Sequence, residues 1–366
     1  MNVMTNTIGR EGLVRTLVDH SDRGTAVALI AGPGMGKTSV FERYIQTTYK
    51  QWERIPKKLK IVPVYIQLGQ IPNNKKLSPH EFWAHLLTTI LQEVTHPRVF
   101  ISGKPQSFPI PKFLAKEDPF KIFDEALTHV VQKISGTAMW CRYRFIFDQS
   151  DLLFHPVYSP VTQKLLGVIK QNELASPYGV TFIGGRRLYE QSLRKKSLFH
   201  FLRRVPMACF NESDIFQYLQ KRMPNISQET MQQVQHFSGG HPTVLEKLVQ
   251  ALAETTEDFD AALRQVATTI EPLFKLIWQE FDLGRGINYR GTYSAPEHAV
   301  MLYLIEQKKE VPVRILEKEL GLKRLHDIIE FLCYVGVATK VLQNDKTLIR
   351  ASFHLWNQWY LWRIRF

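Results

Sequence analysis

The apolar positions of the first two hundred residues fall into short continuous blocks separated by stretches of helical periodicity. Thr25-Ala26-Val27-Ala28-Leu29-Ile30, Ile61-Val62-Pro63-Val64-Tyr65-Ile66, Arg144-Phe145-Ile146-Phe147-Asp148, Gly179-Val180-Thr181-Phe182-Ile183-Gly184 and Val205-Pro206-Met207-Ala208-Cys209-Phe210 have the length of buried strands. Between them the spacing becomes that of amphipathic helices: Leu13, Val14, Leu17 and Val18, then Phe41, Tyr44 and Ile45, then segments over 79–94 and 119–135. Strands that alternate with helices need crossover connections, so the pattern predicts a parallel sheet of about five strands. Pro/Lys-rich turns at 56–60 and 71–79 read as surface loops. Pro97, Pro105, Pro109 and Pro111 mark an irregular insertion over 96–118.

From Asn211 to Leu283 the pattern is helical throughout, with starts at Asn211, Ser227 and His241 and one longer apolar-periodic segment over 257–281. It predicts an all-α lid. The Gly/Arg-rich stretch from Asp282 to Gly291 predicts a linker. Beyond it, helices over 296–307, 312–320 and 323–334 precede strands Val337–Leu342 and Thr347–Phe353, the order of a winged helix. The domains are thus expected at 1–210, 211–283 and 292–366. The terminal segment carries Trp356, Trp359, Tyr360 and Trp362 at near-helical spacing, which predicts a helix packed back on its domain, with partner docking as the other use.

Directly after the first strand, residues 31–38 read Ala-Gly-Pro-Gly-Met-Gly-Lys-Thr, a phosphate-binding loop whose first position holds Ala31 where the strict pattern has glycine. Pro33, Gly34, Met35 and Gly36 form the cradle, and the glycines let consecutive N–H groups turn inward around a phosphate. Lys37 reaches the β/γ oxygens, Thr38 offers its hydroxyl to Mg²⁺, and Ser39 follows on the helix whose positive end faces the same phosphates. A nucleoside triphosphate is the expected ligand. Asp148 ends an apolar strand, where a carboxylate can hold Mg²⁺ through water. Gln149 follows it in place of the glutamate that usually activates water, and an amide cannot accept a proton. Hydrolysis is therefore slow, routed through nearby Asp151, or absent, while binding survives; Gln149 can still orient a water.

These residues carry a resemblance. Ile8-Gly9-Arg10-Glu11 looks like the box that contacts the nucleotide base in STAND-class NTPases and origin-recognition-like AAA+ ATPases, and Ser238-Gly239-Gly240-His241-Pro242 resembles the STAND lid motif whose proline packs on adenine. With the phosphate loop, Phe145-Ile146-Phe147-Asp148 and Gly184-Gly185-Arg186-Arg187 they cover the first 250 residues in the expected order, and the winged helix extends the likeness to nearly the whole chain. The resemblance implies an α/β P-loop NTPase of AAA+/STAND type followed by an all-α lid and a winged helix. It implies ATP as ligand, Lys37 and Thr38 on phosphate and Mg²⁺, Asp148 on Mg²⁺, Pro242 beside the base with His241 next to it, Gly9 and Arg10 at the base, and Arg186 as a γ-phosphate sensor.

Charge and composition narrow the remaining choices. The chain of 366 residues has a formal net charge of +13, consistent with a polyanionic partner such as duplex DNA. Arg186, Arg187, Arg194, Lys195, Lys196, Arg203 and Arg204 form its densest basic stretch. It reads as a solvated face, as the source of an arginine finger (Arg204 or Arg203) for a neighbouring subunit, or as a track for a phosphate backbone. The third helix of the winged helix opens with Lys323, Arg324 and His326 and then turns apolar and acidic, which favours a regulatory, nucleotide-clamping role over sequence reading. Cys141, Cys209 and Cys333 are widely spaced and predict reduced core residues. No apolar run reaches the roughly 20 residues of a membrane span, so a cytoplasmic protein is expected. Two functions follow: an ATP-dependent switch of STAND type acting through homo-oligomerisation or a separate effector, and a DNA-binding AAA+ ATPase resembling origin-recognition or transposition-regulator proteins.

Overall fold

The computed structural model describes residues 9–54, 60–68, 141–154, 178–255, 258–282, 296–343 and 346–365, with isolated helical positions between 81 and 163. The insertion expected over 96–118, most of the helices expected over 79–94 and 119–135, and the linker after Asp282 lie outside the described residues. The chain divides into two compact units. One comprises Met1–Leu13, Ile30–Val40 and Pro206–Phe366, the other Val14–Leu29 and Phe41–Val205.

Strands β1 (Val27–Ile30), β2 (Lys60–Gln67), β3 (Cys141–Asp148), β4 (Tyr178–Gly184) and β5 (Arg203–Pro206) form one sheet in the order β2-β3-β4-β1-β5. The β2/β3 and β3/β4 pairs are parallel, with Val64 opposite Phe145 and Phe145 opposite Val180. All four β1 residues are buried, as are Ile146, Phe147 and Phe182, which is what the continuous apolar runs require of strands covered on both faces. Phe147 stacks on Phe182 at 5.3 Å, and Phe199 meets Phe182 edge-on at the same distance. Helix α1 (Glu11–Asp22) buries Val14, Leu17 and Val18, and α2 (Lys37–Arg54) follows the phosphate loop. Helix α3 (Arg186–Leu193) follows β4. The strand expected over Val205–Phe210 ends at Pro206 instead. Beyond the Met207 N–H, which reaches Ile30 O at 3.1 Å, the chain leaves the sheet, and the Phe210 N–H is used by Gly240 O at 2.9 Å.

The first unit carries the lid: α4 (Glu212–Arg222), α5 (Gln228–Ser238), α6 (Pro242–Glu254), α7 (Phe259–Thr269) and α8 (Glu271–Asp282). Asn211, Ser227 and His241 are the N-caps at the starts read from sequence, and Asn211 forms a capping box with Asp214. The single long segment expected over 257–281 is broken at Ile270 into α7 and α8, because Pro272 has no N–H to continue the helix. The winged helix follows as α9 (Pro296–Gln307), β6 (Val311–Pro312), α10 (Val313–Leu320), α11 (Leu325–Val335), β7 (Ala338–Gln343) and β8 (Lys346–Ala351). The short β6, unseen in the sequence, pairs antiparallel with β8, which pairs antiparallel with β7. Helix α12 (His354–Arg365) folds back with Trp356 and Tyr360 fully buried among Phe274, Trp278 and Phe281, and Tyr360 Oη lies 2.6 Å from His298 Nδ1. Among the described residues no helix is long and apolar enough to cross a membrane.

Candidate functional site

The phosphate loop leaves β1 with Gly34 at φ +70° and Gly36 at φ +80°, conformations that only glycine adopts without cost. Lys37 folds back over the loop and donates to Gly32 O at 2.7 Å and Ala31 O at 3.2 Å. Its ammonium is thereby held at the loop mouth by two carbonyls. Thr38 is exposed at the start of α2, Ser39 and Pro33 are half-buried, and Met35 is fully buried.

Three segments of the same unit converge on this loop. From before α1, Arg10 donates to Ala208 O at 2.5 Å and reaches Met35 O at 3.4 Å, with its guanidinium 4.6 Å over the Phe210 ring. Burial lowers its pKa, while Cys209 and Asp214 act the other way. Gly9, at φ +76°, leaves no space for a Cβ because the Asp214 carboxyl carbon stands 2.5 Å from that point. From the lid, Thr243 donates to Gly34 O at 2.7 Å, and Pro242 takes the first helical position of α6, where its missing N–H costs nothing. From the winged helix, the C-terminus of α11 lies against the loop: Gly32 N–H donates to Tyr334 O at 2.8 Å, and a Cβ on Gly32 would stand 2.7 Å from Val335 O. Cys209 completes the seam by donating to Gly336 O at 3.5 Å. Burial pushes its thiol up to about 12 and the Cys333 thiol likewise, so both are neutral, disulfide-free packing groups.

His241 sits at the centre of this convergence. The ring is fully buried, and no hydrogen bond of good geometry reaches either nitrogen among the described residues; the carbonyls of Pro33 and of His241 itself make only weak contacts with it. Burial pushes its pKa down to about 4; Arg10 and Lys37 act in the same direction, and the carbonyls of Pro33 and of His241 itself oppose.

The remaining candidates belong to the other unit. Asp148, at the end of β3, accepts from the Tyr65 hydroxyl on one oxygen and from the Gln149 N–H at 2.8 Å on the other. Gln149 is exposed and held at φ +57°, a left-handed conformation unusual for a side chain of this type. Each Asp151 oxygen accepts a backbone N–H. Its Oδ2 accepts from Gly185 N–H at 2.6 Å and its Oδ1 from Leu188 N–H at 3.0 Å, so it caps α3 from a distance, where Gly185 has no side chain to do so. Arg186 opens that helix buried, with its Nε 2.7 Å from Glu190 Oε1. Arg204 lies exposed on β5, the edge strand. Replacing Asp151 with asparagine should turn one acceptor into a donor facing an N–H and cost about 1–3 kcal/mol. A fall of the denaturation midpoint in urea checks it, and an unchanged midpoint would remove the capping role.

The sequence named Arg10, the loop, His241 and Pro242. It missed Thr243, Cys209 and the Tyr334–Gly336 turn, whose only signal was a glycine just past an apolar helix. Among the described residues no group of three or more His, Cys, Asp or Glu side chains is placed to hold a metal ion by itself.

This arrangement is a P-loop α/β fold with a parallel five-stranded core, a helical lid and a C-terminal winged helix. No family model matches the chain, and no curated protein matches it. Among solved structures it is similar to a Walker-type ATPase of Pyrococcus abyssi, with a TM-score of 0.57 and 14% identity over 96% of this chain and 95% of that one. The Aeropyrum pernix Orc1 protein in complex with DNA matches with a TM-score of 0.46 and 14% identity over 99% and 94% of the two chains. Cdc6p of Pyrobaculum aerophilum matches at 0.44 and 13%, over 100% and 95%. At 14% identity the likeness to the Pyrococcus abyssi ATPase is one of fold alone.

Proposed function

We propose that the chain is an ATP-binding AAA+-type ATPase in which occupancy of the phosphate loop governs how the winged helix is held, and that it works on a nucleic-acid backbone. The observation that carries the first half is the convergence of Arg10, Thr243 and the α11 C-terminus on one loop. A ligand there exchanges contacts with all three segments at once, and a ligand shifts a two-state equilibrium only through such differential contacts. In this reading Lys37 and the loop N–H groups from Gly34 to Thr38 hold the phosphates, Gly9, Arg10 and Pro242 flank the base, and Arg186 senses the γ-phosphate. A hydroxyl such as that of Thr38 and a carboxylate such as that of Asp148 are oxygen donors of the kind Mg²⁺ takes alongside substrate phosphates and water; on this reading they would hold the ion, and it would offset phosphate charge. Gln149, with no carboxylate, orients water without accepting its proton, so turnover is slow.

The second half rests on charge. Arg194, Lys195, Lys196, Arg203 and Arg204 are exposed, and among the described residues none has an acidic partner. In the winged helix, by contrast, Arg324 pairs with Asp327 at 2.7 Å and His326 lies 3.3 Å from Glu330, so α11 offers phosphates little free charge. A STAND-type switch acting on a separate effector is the second reading, favoured by the same lid and winged-helix contacts. Light scattering after size-exclusion, with ADP, ATP and a slowly hydrolysed analogue, with and without duplex DNA at two salt concentrations, separates them. Assembly that needs ATP and DNA and collapses at high salt supports the proposal, because phosphate neutralisation releases counterions. Assembly with ATP alone, indifferent to DNA, supports the switch, and no response to nucleotide overturns both.

A further inference from the structure

A buried imidazole whose nitrogens find no well-formed hydrogen bond, and on which two cations act, is an unusual arrangement, because burial normally comes with a good hydrogen-bond partner. His241 is in that position. Its Cε1, the carbon between the two nitrogens, lies 2.9 Å from where a Gly34 Cβ would be, and its Cδ2 lies 3.1 Å from the corresponding point on Gly336. The ring is therefore wedged between the phosphate loop and the turn that ends α11, with the Phe353 ring 5.4 Å away closing the third side. It also precedes the first turn of α6, whose free N–H groups favour an anion over a cation.

The groups acting on it can be named segment by segment. Arg10, ahead of α1, and Lys37, at the end of the loop, repel a proton on the ring. Cys209 and Cys333 are neutral thiols. Asp214 on α4 acts on Arg10. The lid supplies the neutral Thr243, the turn after α11 supplies Gly336, and the segment after β8 supplies Phe353, none of which is charged.

We propose that His241 is an ionisable member of the nucleotide site: it is neutral while the loop is empty and takes up a proton when a polyphosphate binds. The inference rests on the reading of the loop as a nucleotide site. A polyphosphate on Lys37 places several negative charges near a ring on which the positive Arg10 and Lys37 now act, and supplies further oxygen acceptors. Because the same ring touches Gly336, its charge state is read directly by the turn that docks the winged helix. The lid thereby couples phosphate occupancy to the winged helix through one proton.

Linkage makes this measurable. If binding takes up a proton, affinity rises as pH falls between the ring's pKa in the bound and free states, with a limiting slope of about tenfold per pH unit for one full proton. The full chain is titrated calorimetrically with ADP and with a slowly hydrolysed ATP analogue near pH 6, with Mg²⁺ saturating so that the ligand does not itself titrate. Two buffers of different ionisation enthalpy report the protons taken up. Wild type should take up at least several tenths of a proton more than His241→Asn. Equal proton counts would overturn the proposal while leaving the nucleotide site intact, and absence of binding by wild type would overturn both. Should the Asn variant fail to fold, the pH dependence of wild-type affinity between pH 5.5 and 7.5 decides: a flat profile overturns the proposal.

Discussion

Replacing Lys37 with alanine should lower affinity for ATP at least about a hundredfold, some 2.7 kcal/mol, with little change in the stability of the protein. The two halves of this expectation come from the same geometry. The ammonium donates to Gly32 O and Ala31 O, carbonyls of the loop it closes. Its removal leaves two acceptors at a half-exposed site where water replaces the lost donor, so the folded state loses little. With a polyphosphate present, the same ammonium faces a charge of opposite sign in a site partly screened from water, where a charge-assisted hydrogen bond is roughly twice as strong as a neutral one. Arginine at this position should not rescue binding, because its planar guanidinium needs a wider approach than the two carbonyls leave. Isothermal titration of both variants checks this. Retained affinity in Lys37→Ala would exclude the loop as the triphosphate site.

The elements that the sequence displays are those set by local rules. Strands β1 to β4 are visible because each carries a continuous apolar block, whereas the exposed β5 is caught only at Val205 and Pro206, and the lid starts are visible because Asn211 and Ser227 carry their own capping oxygens. The phosphate loop is legible for a similar reason: its glycines satisfy a backbone requirement inside eight residues. What the sequence hides is set by contacts across long separations. Thr243 is 209 residues from Gly34, and Cys209 is 127 from Gly336. Asp151 reads as a spare carboxylate beside Asp148, and only the approach of the α3 N-terminus, 34 residues on, shows that both its oxygens are committed. The break between α7 and α8 was within reach of sequence, since Pro272 marks it, but the apolar periodicity runs on across it.

Two glycines that end neighbouring helices allow the winged-helix contact to be tested against its own backbone. Gly321 after α10 and Gly336 after α11 both adopt left-handed conformations, at φ +56° and φ +87°. An alanine at either position loses about 1 kcal/mol to the backbone alone. Around Gly321 nothing lies within 4 Å of the added methyl, so Gly321→Ala should cost only that. At Gly336 the methyl would stand 2.9 Å from Met35 Sδ, 3.1 Å from the His241 ring and 3.2 Å from Cys209 Sγ. These neighbours come from the phosphate loop, the lid and the segment after β5, and they hold each other in place, so overpacking should add about 1–3 kcal/mol more. The expected consequence is local. The turn withdraws, the Tyr334 carbonyl leaves Gly32, and the Gly32 amide, bonded to it at 2.8 Å, exchanges with solvent faster. A total of about 3 kcal/mol corresponds to a more than hundredfold increase in that exchange rate, against roughly fivefold or less for Gly321→Ala if the two sites are independent. Equal protection of Gly32 in both variants would show that the loop keeps its amide satisfied without the winged helix, and would take away the physical link by which nucleotide is proposed to control it.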